Sequence, residues 1–432
     1  MKNRILIFLL IAFIWVPELF SQKILTLREC YDLAMNTNSL AGEKEAYSLI
    51  SGLNDANLSK SRLPTVDAGA TILYNSSIVD MKSVLGEIPI PGIADLIKPL
   101  PHEQYKITVD INQVIYDGGM VRNSRLLEKA DLGVNQKQTE SDLYKLRAQI
   151  NACYFSLLLI DRQKELLENY LGLIEKRITA MQSALQNDMI IKSDIDVMTS
   201  EKLKLQQQIK ENETMKISLM KVLSDLTGAE ISNSTAFIVP SLPNPSDNEL
   251  SRPELELLDL RKDQLSAGLK LIESKRMPRA FGFATLGYGN PPGNNFFKNE
   301  FEPYFVVGAS LKWNILDWNR AKNEKQIVAL RQGILENRKN DLSDALKRQL
   351  ETKNAEIENL KSMIGTDTVL IELRKSITSS SESQYNNGTI TATELLNQIN
   401  SEKQAVINCE IHKINLAMSQ VEYLNISGKE IE

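Results

Sequence analysis

Two short polar segments, QNDMIIKSD at residues 186–194 and NNGTITATE at residues 386–394, lie 200 positions apart in this 432-residue chain. Each separates two long stretches of helical periodicity, and each is therefore predicted to be the tip of a helical hairpin. The aligned pairs are Asn187 with Asn387, Asp188 with Gly388, Ser193 with Thr393, and Asp194 with Glu394. The chain is expected to build the same hairpin twice.

Other pairs of segments repeat at a similar distance. Asp117 in VIYDGG matches Asp317 in NILDWN, and LTG at 226–228 matches ISG at 426–428. Pro64 matches Pro278 at the larger offset of 214, so the first copy carries 14 extra residues before Asp117. The proline-rich stretch 75–103 accounts for this difference, because insertions are tolerated in loops. An internal duplication is predicted.

Within each copy the hydrophobic period changes in a fixed order. After Pro64 and again after Pro278 it becomes two, as in strands with one apolar face. In 104–116, Tyr105, Ile107, Val109 and Ile111 alternate with polar residues. The predicted strands are 64–76, 104–116, 278–290 and 303–316, and turns rich in proline and glycine join them in pairs.

The period then returns to that of a helix. Over 143–185 apolar residues recur at alternating steps of three and four, which is typical of a coiled coil. The predicted helices 119–186 and 318–386 would each be about 100 Å long at 1.5 Å per residue. Ordinary globular domains do not contain helices of this length.

The first residues predict export. Lys2 and Arg4 precede an apolar run from Ile5 to Val16, which is too short to cross a bilayer, and Ser21 is a suitable residue before a cleavage site. No later stretch has 18 consecutive apolar residues, and three scattered cysteines argue against a disulfide framework. Cys30 lacks the small preceding residues of a lipid-anchor signal. The net charge of −5, with acids and bases interleaved, gives no indication of nucleic-acid binding.

Strands of about ten residues with one apolar face have the length that a tilted strand needs to cross a bilayer. Four strands cannot close a barrel, and open edges are not tolerated in hydrocarbon. About eight strands form the smallest closed membrane barrel, so at least two copies of the chain are required. A soluble antiparallel sheet with one wet face is the alternative, since it has the same alternation.

The order of elements resembles the outer-membrane efflux protein family typified by TolC. The resemblance rests on LTLRECYDLAMNTN at 25–38, YDGG at 116–119, both tip segments and the doubled spacing, and it covers nearly all of the chain after the signal peptide. It implies a mixed α/β membrane protein that is built from two structural repeats and assembles as a homotrimer. Twelve strands would form one outer-membrane β-barrel, which a long periplasmic α-helical coiled-coil barrel continues.

The implied domain layout follows these boundaries. It consists of a signal peptide (1–21), a first repeat (22–228), an equatorial linker (229–250), a second repeat (251–428) and a C-terminal tail (429–432). The first repeat contains strands 64–76 and 104–116, long helix 119–186, tip 187–193 and return helix 194–227. The second contains strands 278–290 and 303–316, long helix 318–386, tip 387–393 and return helix 394–427.

By position in the motif, the resemblance places the gate tyrosine at Tyr385, three residues before Gly388, and an acidic gate residue at Asp194. The first position of an inner aspartate ring falls on Glu394. Two positions depart from the family pattern. The position of the family's gate arginine is occupied by Ile390, and that of its second ring aspartate by Asn397. Closure here is expected to use hydrogen bonds between Tyr385 and Asp194 together with packing of Ile390.

Other roles for these residues stay open. Asp194 is also placed to cap its helix, and Glu394 to favour the dipole at the start of its helix. Tyr385 on a helix near a tip is equally consistent with plain packing. Glu394 in three copies is expected to give mild cation selectivity. The tip residues Asn187, Asp188, Ser193, Asn387 and Thr393 are expected to form the docking surface for a periplasmic adaptor.

No catalytic chemistry is predicted. The two histidines, His102 and His412, are 310 residues apart, and the motifs of metal sites, nucleophiles and phosphate loops are missing. No cofactor is expected. The implied function is an outer-membrane exit duct of a tripartite efflux or type I secretion system, fed by an adaptor and an inner-membrane pump. The alternative is a secreted coiled-coil scaffold without a pore, and the cargo is not encoded in any pattern.

Overall fold

The computed structural model describes residues 24–78, 100–187, 190–240, 249–295 and 298–431. The predicted signal peptide, Asp188, and parts of the proline-rich stretch and of the linker lie outside these ranges. The described residues form two compact units, one from 44–137 and 257–339 and the other from the remaining segments.

The elements follow the predicted order. In chain order they are β1 (Ile24–Leu25), α1 (Leu27–Thr37), α2 (Ala41–Lys60), β2 (Thr65–Tyr74), β3 (Glu103–Tyr116), α3 (Met120–Tyr144), α4 (Leu146–Gln186), α5 (Lys192–Thr227), β4 (Ala236–Phe237), α6 (Pro253–Ser274), β5 (Arg279–Asn290), β6 (Glu302–Lys312), α7 (Arg320–Asn386) and α8 (Ala392–Ser427).

The first unit contains an antiparallel sheet of four strands in the order β2-β3-β5-β6. The central pairing joins β3 of the first strand pair to β5 of the second, with an irregularity between Val114 and Tyr116. Strand β6 ends at Lys312, earlier than the predicted residue 316. The reason lies in the register, because Lys312 is opposite Arg279, the first residue of β5, and later residues have no strand to pair with.

The two faces of this sheet differ in polarity along β2 and β3, whereas on β5 the face opposite the apolar rows carries Phe281 and Phe283. Ala68, Val109, Leu286 and Phe305 form one row, and the opposite face carries the row Asp67, Asp110, Thr285 and Val306. On the apolar face Ile72, Phe305 and Val307 are 76, 74 and 72% exposed. An exposed apolar face of this size is unusual for a soluble sheet and indicates that something else covers it.

The strand-to-helix junctions of the two halves adopt the same backbone conformation. Gly118 and Gly119 have φ of +66° and +85°, and Trp318 and Asn319 have +51° and +64°. A carboxylate oxygen of Asp117 accepts from Val121 N at 2.8 Å, and one of Asp317 accepts from Ala321 N at 3.2 Å. Both aspartates therefore satisfy donors in the first turn of the following helix.

The second unit is helical. Its main core includes Cys30, Ile150, Leu157, Leu223 and Val421, which are buried on α1, α4, α5 and α8. The short strands β1 and β4, the latter in the predicted linker, pair in parallel over this core. No helix among the described residues is both long and apolar enough to cross a membrane.

The predicted helix 119–186 is divided into α3 and α4 at Lys145, but φ of −63° and ψ of −25° at this residue remain helical. Beside this junction, Tyr144 donates to Asn425 O at 2.8 Å, and the guanidinium groups of Arg147 and Arg252 each lie 4.5 Å from its ring centroid. The helical period of the sequence carries no sign of these tertiary contacts.

Candidate functional site

The first tip follows α4. Asn187 N donates to Ala184 O at 3.2 Å, and its side chain donates to Ser183 O at 2.9 Å, which ends the helix. Helix α5 begins at Lys192 after the extended residue Ile191, which provides no side-chain cap. Ser193 thus lies in the first helical turn. Asp194 is not the cap, because its own N–H donates to Ile191 O at 3.1 Å and its carboxylate lies inside the first turn.

The second tip is more tightly bonded. Gly388 has φ of +72°, and Thr389 N donates to Gln384 O at 2.9 Å, which is the helix-ending pattern that favours glycine. Asn387 N donates to Ser383 O at 3.1 Å. Helix α8 then begins at Ala392, so that Thr393, like Ser193, belongs to a helix.

The start of α8 is fixed by a reciprocal pair of hydrogen bonds. Thr391 Oγ1 accepts from Glu394 N at 3.2 Å, and the Glu394 carboxylate accepts from Thr391 N at 2.9 Å. This capping box gives Glu394 a structural role in addition to the predicted ring position. Glu394 and Asn397 are both exposed and lie three residues apart, on one face of α8.

The two hairpins of the chain pack against one another near their tips. A core of Met181, Met198, Ala392 and Leu395 contains residues from both, and Leu395 and Met198 are completely buried. Tyr385 and Ile390 are partly buried and pack on this core. Both residues occupy an apolar position between the hairpins, whatever further role they have. We call this set the tip core.

Polar groups surround the tip core on one side. Arg177 of α4 donates to the carboxylate of Glu382 on α7, and its side chain is 15% exposed. The Tyr385 hydroxyl is buried and forms no hydrogen bond with any described residue, so the expected bond to Asp194 is not present within the chain. Burial and the negative charge of Asp194 raise the pKa of the Tyr385 hydroxyl.

A groove of about 740 Å³ lies between the two tips. Its lining includes Arg177, Asp194, Tyr385, Gly388 and Ile390. Four of these five residues were singled out from the sequence, and the groove brings them together. Arg177 was not, although it stands beside Ile174 and Ile178 of the coiled-coil seam, at the kind of flanking position that forms interhelical ion pairs.

A second ion pair connects the return helices. Lys403 Nζ of α8 donates to Glu201 Oε1 of α5 at 2.9 Å, and both side chains are buried. A sequence signal existed, because Glu201 lies between Met198 and Leu205 at core spacing. His412 of α8 also has a partner, since its Nδ1 is 2.6 Å from Asp367 Oδ2.

Comparison with known proteins gives a consistent result for the fold. No protein-family model and no curated protein matches the sequence. Solved structures do match. The CmeC outer membrane channel of Campylobacter jejuni is 13% identical with a TM-score of 0.64, covering 93% of this chain and 85% of that one.

Two further structures agree. The open-state MtrE outer membrane channel of Neisseria gonorrhoeae is 15% identical with a TM-score of 0.66, over 94% of this chain and 89% of that one. The outer membrane protein VceC of Vibrio cholerae is 12% identical with a TM-score of 0.63, over 94 and 97%. Since the likeness extends over almost the whole of each chain, this protein has the fold of the TolC-like outer membrane efflux proteins.

Proposed function

We propose that this protein is the outer-membrane exit duct of a tripartite efflux or type I secretion system. The exposed apolar face of the four-stranded sheet is the observation that carries the proposal. Its rows of apolar residues run across β2, β3, β5 and β6, and the opposite face is mostly polar or small along β2 and β3 but also carries Phe283 and Val306. This division suits a wall between lipid and water, and it supports an outer-membrane location with the helices in the periplasm.

The assembly that fits is a homotrimer. Among the described residues, β2 and β6 are the sheet's edges, and each leaves one row of backbone groups without a partner strand. In a bilayer these groups need partners, which neighbouring copies provide when the edges meet in a ring. Three copies give a barrel of twelve strands. The shared geometry of Asp117 and Asp317 supports an origin of the chain from two repeats.

The tips are proposed to face the periplasmic adaptor. Six short polar turns per trimer, containing Asn187, Asp188, Ser193, Asn387 and Thr393, would form the docking ring. The first turns of α5 and α8 extend this surface, because Ser193 and Thr393 are helical and exposed. Hydroxyl and amide groups suit reversible docking, since they hydrogen-bond well to water and to a partner.

The groove between the tips is the proposed gate. Asp194, Tyr385, Gly388 and Ile390 line it together with Arg177, and the exposed Glu394 and Asn397 lie on the adjoining helix. Closure is proposed to combine packing on the tip core with the Arg177–Glu382 ion pair. An arginine thus contributes to closure from α4, although the position expected to hold it is Ile390.

The duct is passive and performs no catalysis in this proposal. No nucleotide-binding or proton-relay motif occurs in the sequence, so an inner-membrane pump supplies the energy through the adaptor. Neighbours of the same fold are channels, which supports a role as a channel and not as an enzyme. No cofactor or nucleic acid is part of the mechanism.

Two measurements test the proposal against the secreted scaffold. The duct is expected to stay in the membrane fraction after washing with concentrated salt and to need detergent for release. The purified protein should run as a trimer and conduct current in a planar bilayer. A water-soluble monomer without conductance would leave the scaffold as the better account.

A further inference from the structure

A groove rich in arginine lies at the foot of the first strand pair, between α2 and α3. It has a volume of about 690 Å³. We call it the arginine groove and define it by the four cations and one apolar residue that matter here: Arg62, Arg122, Arg125, Lys129 and Leu126.

The groove carries more positive charge than its own acids neutralise. Of its two acids, Asp55 is paired with Arg125, whose Nη2 lies 2.6 Å from Asp55 Oδ2, and Glu128 accepts from Asn54 at 3.2 Å. The side chains of Arg62 and Arg122 are exposed, and within the described ranges neither forms a direct hydrogen bond or ion pair, although Arg62 lies within electrostatic range of Asp117. Both guanidinium groups thus keep their hydrogen-bond donors available for an anion.

The position of the groove is informative. Arg62 lies just before β2, which begins at Thr65, and Arg122 lies just after β3, which ends at Tyr116. The apolar sheet face ends at the same level, where Leu63 and Tyr116 are 60 and 51% exposed. Cations and aromatic residues at the end of an apolar face are typical of a membrane–water interface.

We propose that the arginine groove binds the phosphate of an anionic phospholipid in the leaflet that faces the periplasm. The proposal rests on the proposed function, because it places the strands in a bilayer. A guanidinium group binds phosphate oxygens with two parallel hydrogen bonds, and two such groups in one groove suit a single headgroup. Leu126, which is 40% exposed in the same groove, favours a lipid over a free anion because an acyl chain can cover it.

The test uses the full-length protein purified in detergent. Native mass spectrometry counts the lipids retained after mixing with phosphatidylglycerol or phosphatidylcholine at the same molar ratio. The variant Arg62→Gln/Arg122→Gln removes the two guanidinium groups that form no direct hydrogen bond within the described ranges. The control Lys204→Gln/Lys221→Gln removes two exposed lysines of α5, so the change in net charge is matched. Circular dichroism verifies that both variants are folded.

The wild type and the lysine control are expected to retain about tenfold more phosphatidylglycerol than phosphatidylcholine, given the usual attraction of basic residues to anionic lipid. The arginine variant should lose most of this preference. An unchanged preference in that variant, or an equal loss in the lysine control, would overturn the proposal. So would a thermal stabilisation by inorganic phosphate alone that equals the stabilisation by phosphatidylglycerol, because the ligand would then be a free anion.

The same preparation separates this inference from the proposed function. If the wild type conducts current in a bilayer but shows no lipid preference, only the lipid site is wrong. If it neither inserts nor conducts, the proposed function is wrong, and the lipid site falls with it.

Discussion

Glu201 and Lys403 form a buried ion pair, 2.9 Å long, between the two return helices α5 and α8. Their side chains are 7 and 10% exposed, so water screens the pair weakly. Each charge lies on the apolar side of its helix, close in sequence to buried residues such as Met198 and Leu205 on α5 and Ile399 on α8. The pair thus joins one turn of α5 to one turn of α8 within an apolar interface.

Removing one partner should be costly. Lys403→Met leaves the Glu201 carboxylate buried without a counter-charge, and the expected loss of unfolding free energy is about 3 to 5 kcal/mol. The double variant Glu201→Leu/Lys403→Met should recover most of this loss, because no charge is left buried. Thermal and urea unfolding followed by circular dichroism measure both. Equal losses in the single and double variants would contradict the ion-pair account.

The Arg177–Glu382 pair is predicted to hold the gate closed. Arg177→Ala removes a charge-assisted hydrogen bond, a class of interaction that contributes about 1.5 to 3 kcal/mol, and should raise the open probability about tenfold or more. Single-channel recording in planar bilayers measures this change. The exchanged variant Arg177→Glu/Glu382→Arg should restore closure, since it reverses the pair without removing it. A conductance that stays high in the exchanged variant would indicate a role of Arg177 other than pairing.

Glu394 combines a structural and an electrostatic role that substitution can separate. Glu394→Gln keeps the capping box, because glutamine also accepts from the Thr391 backbone. It removes three negative charges from the trimer entrance and should lower the cation selectivity without changing stability. Glu394→Ala removes the capping box as well and should also lower the unfolding free energy by about 1 kcal/mol. Reversal potentials in a salt gradient measure the cation selectivity. Unchanged selectivity in Glu394→Gln would exclude an electrostatic role of Glu394 at the entrance.

Two glycines at helix ends provide a matched pair. Both have positive φ, +72° at Gly388 and +86° at Gly428, but only Gly428 is crowded. A Cβ there would lie 2.4 Å from the carbonyl carbon of Ser251, whereas at Gly388 nothing lies within 4 Å. Gly388→Ala should lower the unfolding free energy by about 1 to 2 kcal/mol, which is the backbone penalty of a positive φ for alanine. Gly428→Ala should cost clearly more, and equal melting temperatures for the two variants would contradict this argument.

The sequence was most informative where its hydrophobic periodicity matches the geometry of a strand or helix. Alternation along Tyr105, Ile107 and Val109 predicted the exposed apolar face, because strand geometry sends successive side chains to opposite sides. The tip segments predicted where the hairpins turn, since glycine and asparagine are favoured there. Fold-level agreement with known channels followed from the order of these elements.

Sequence patterns did not predict features that depend on contacts between distant segments. Beside the α3–α4 junction, Tyr144 contacts Asn425 and Arg252, which are far away in the chain. Arg177 was missed because its partner, Glu382, is 205 residues away. The alternative role of Asp194 as a helix cap, left open because aspartate often occupies that position, is wrong because α5 starts at Lys192.

The open edges of the four-stranded sheet also have a consequence for biogenesis. A newly exported chain that folded alone would expose β2 and β6 to any other unpaired strand, and such edges template aggregation. Productive folding of the strands should thus accelerate with protomer concentration and require chaperoning before insertion. If the proposed trimer forms, subunits should be vulnerable to proteolysis until three of them have met.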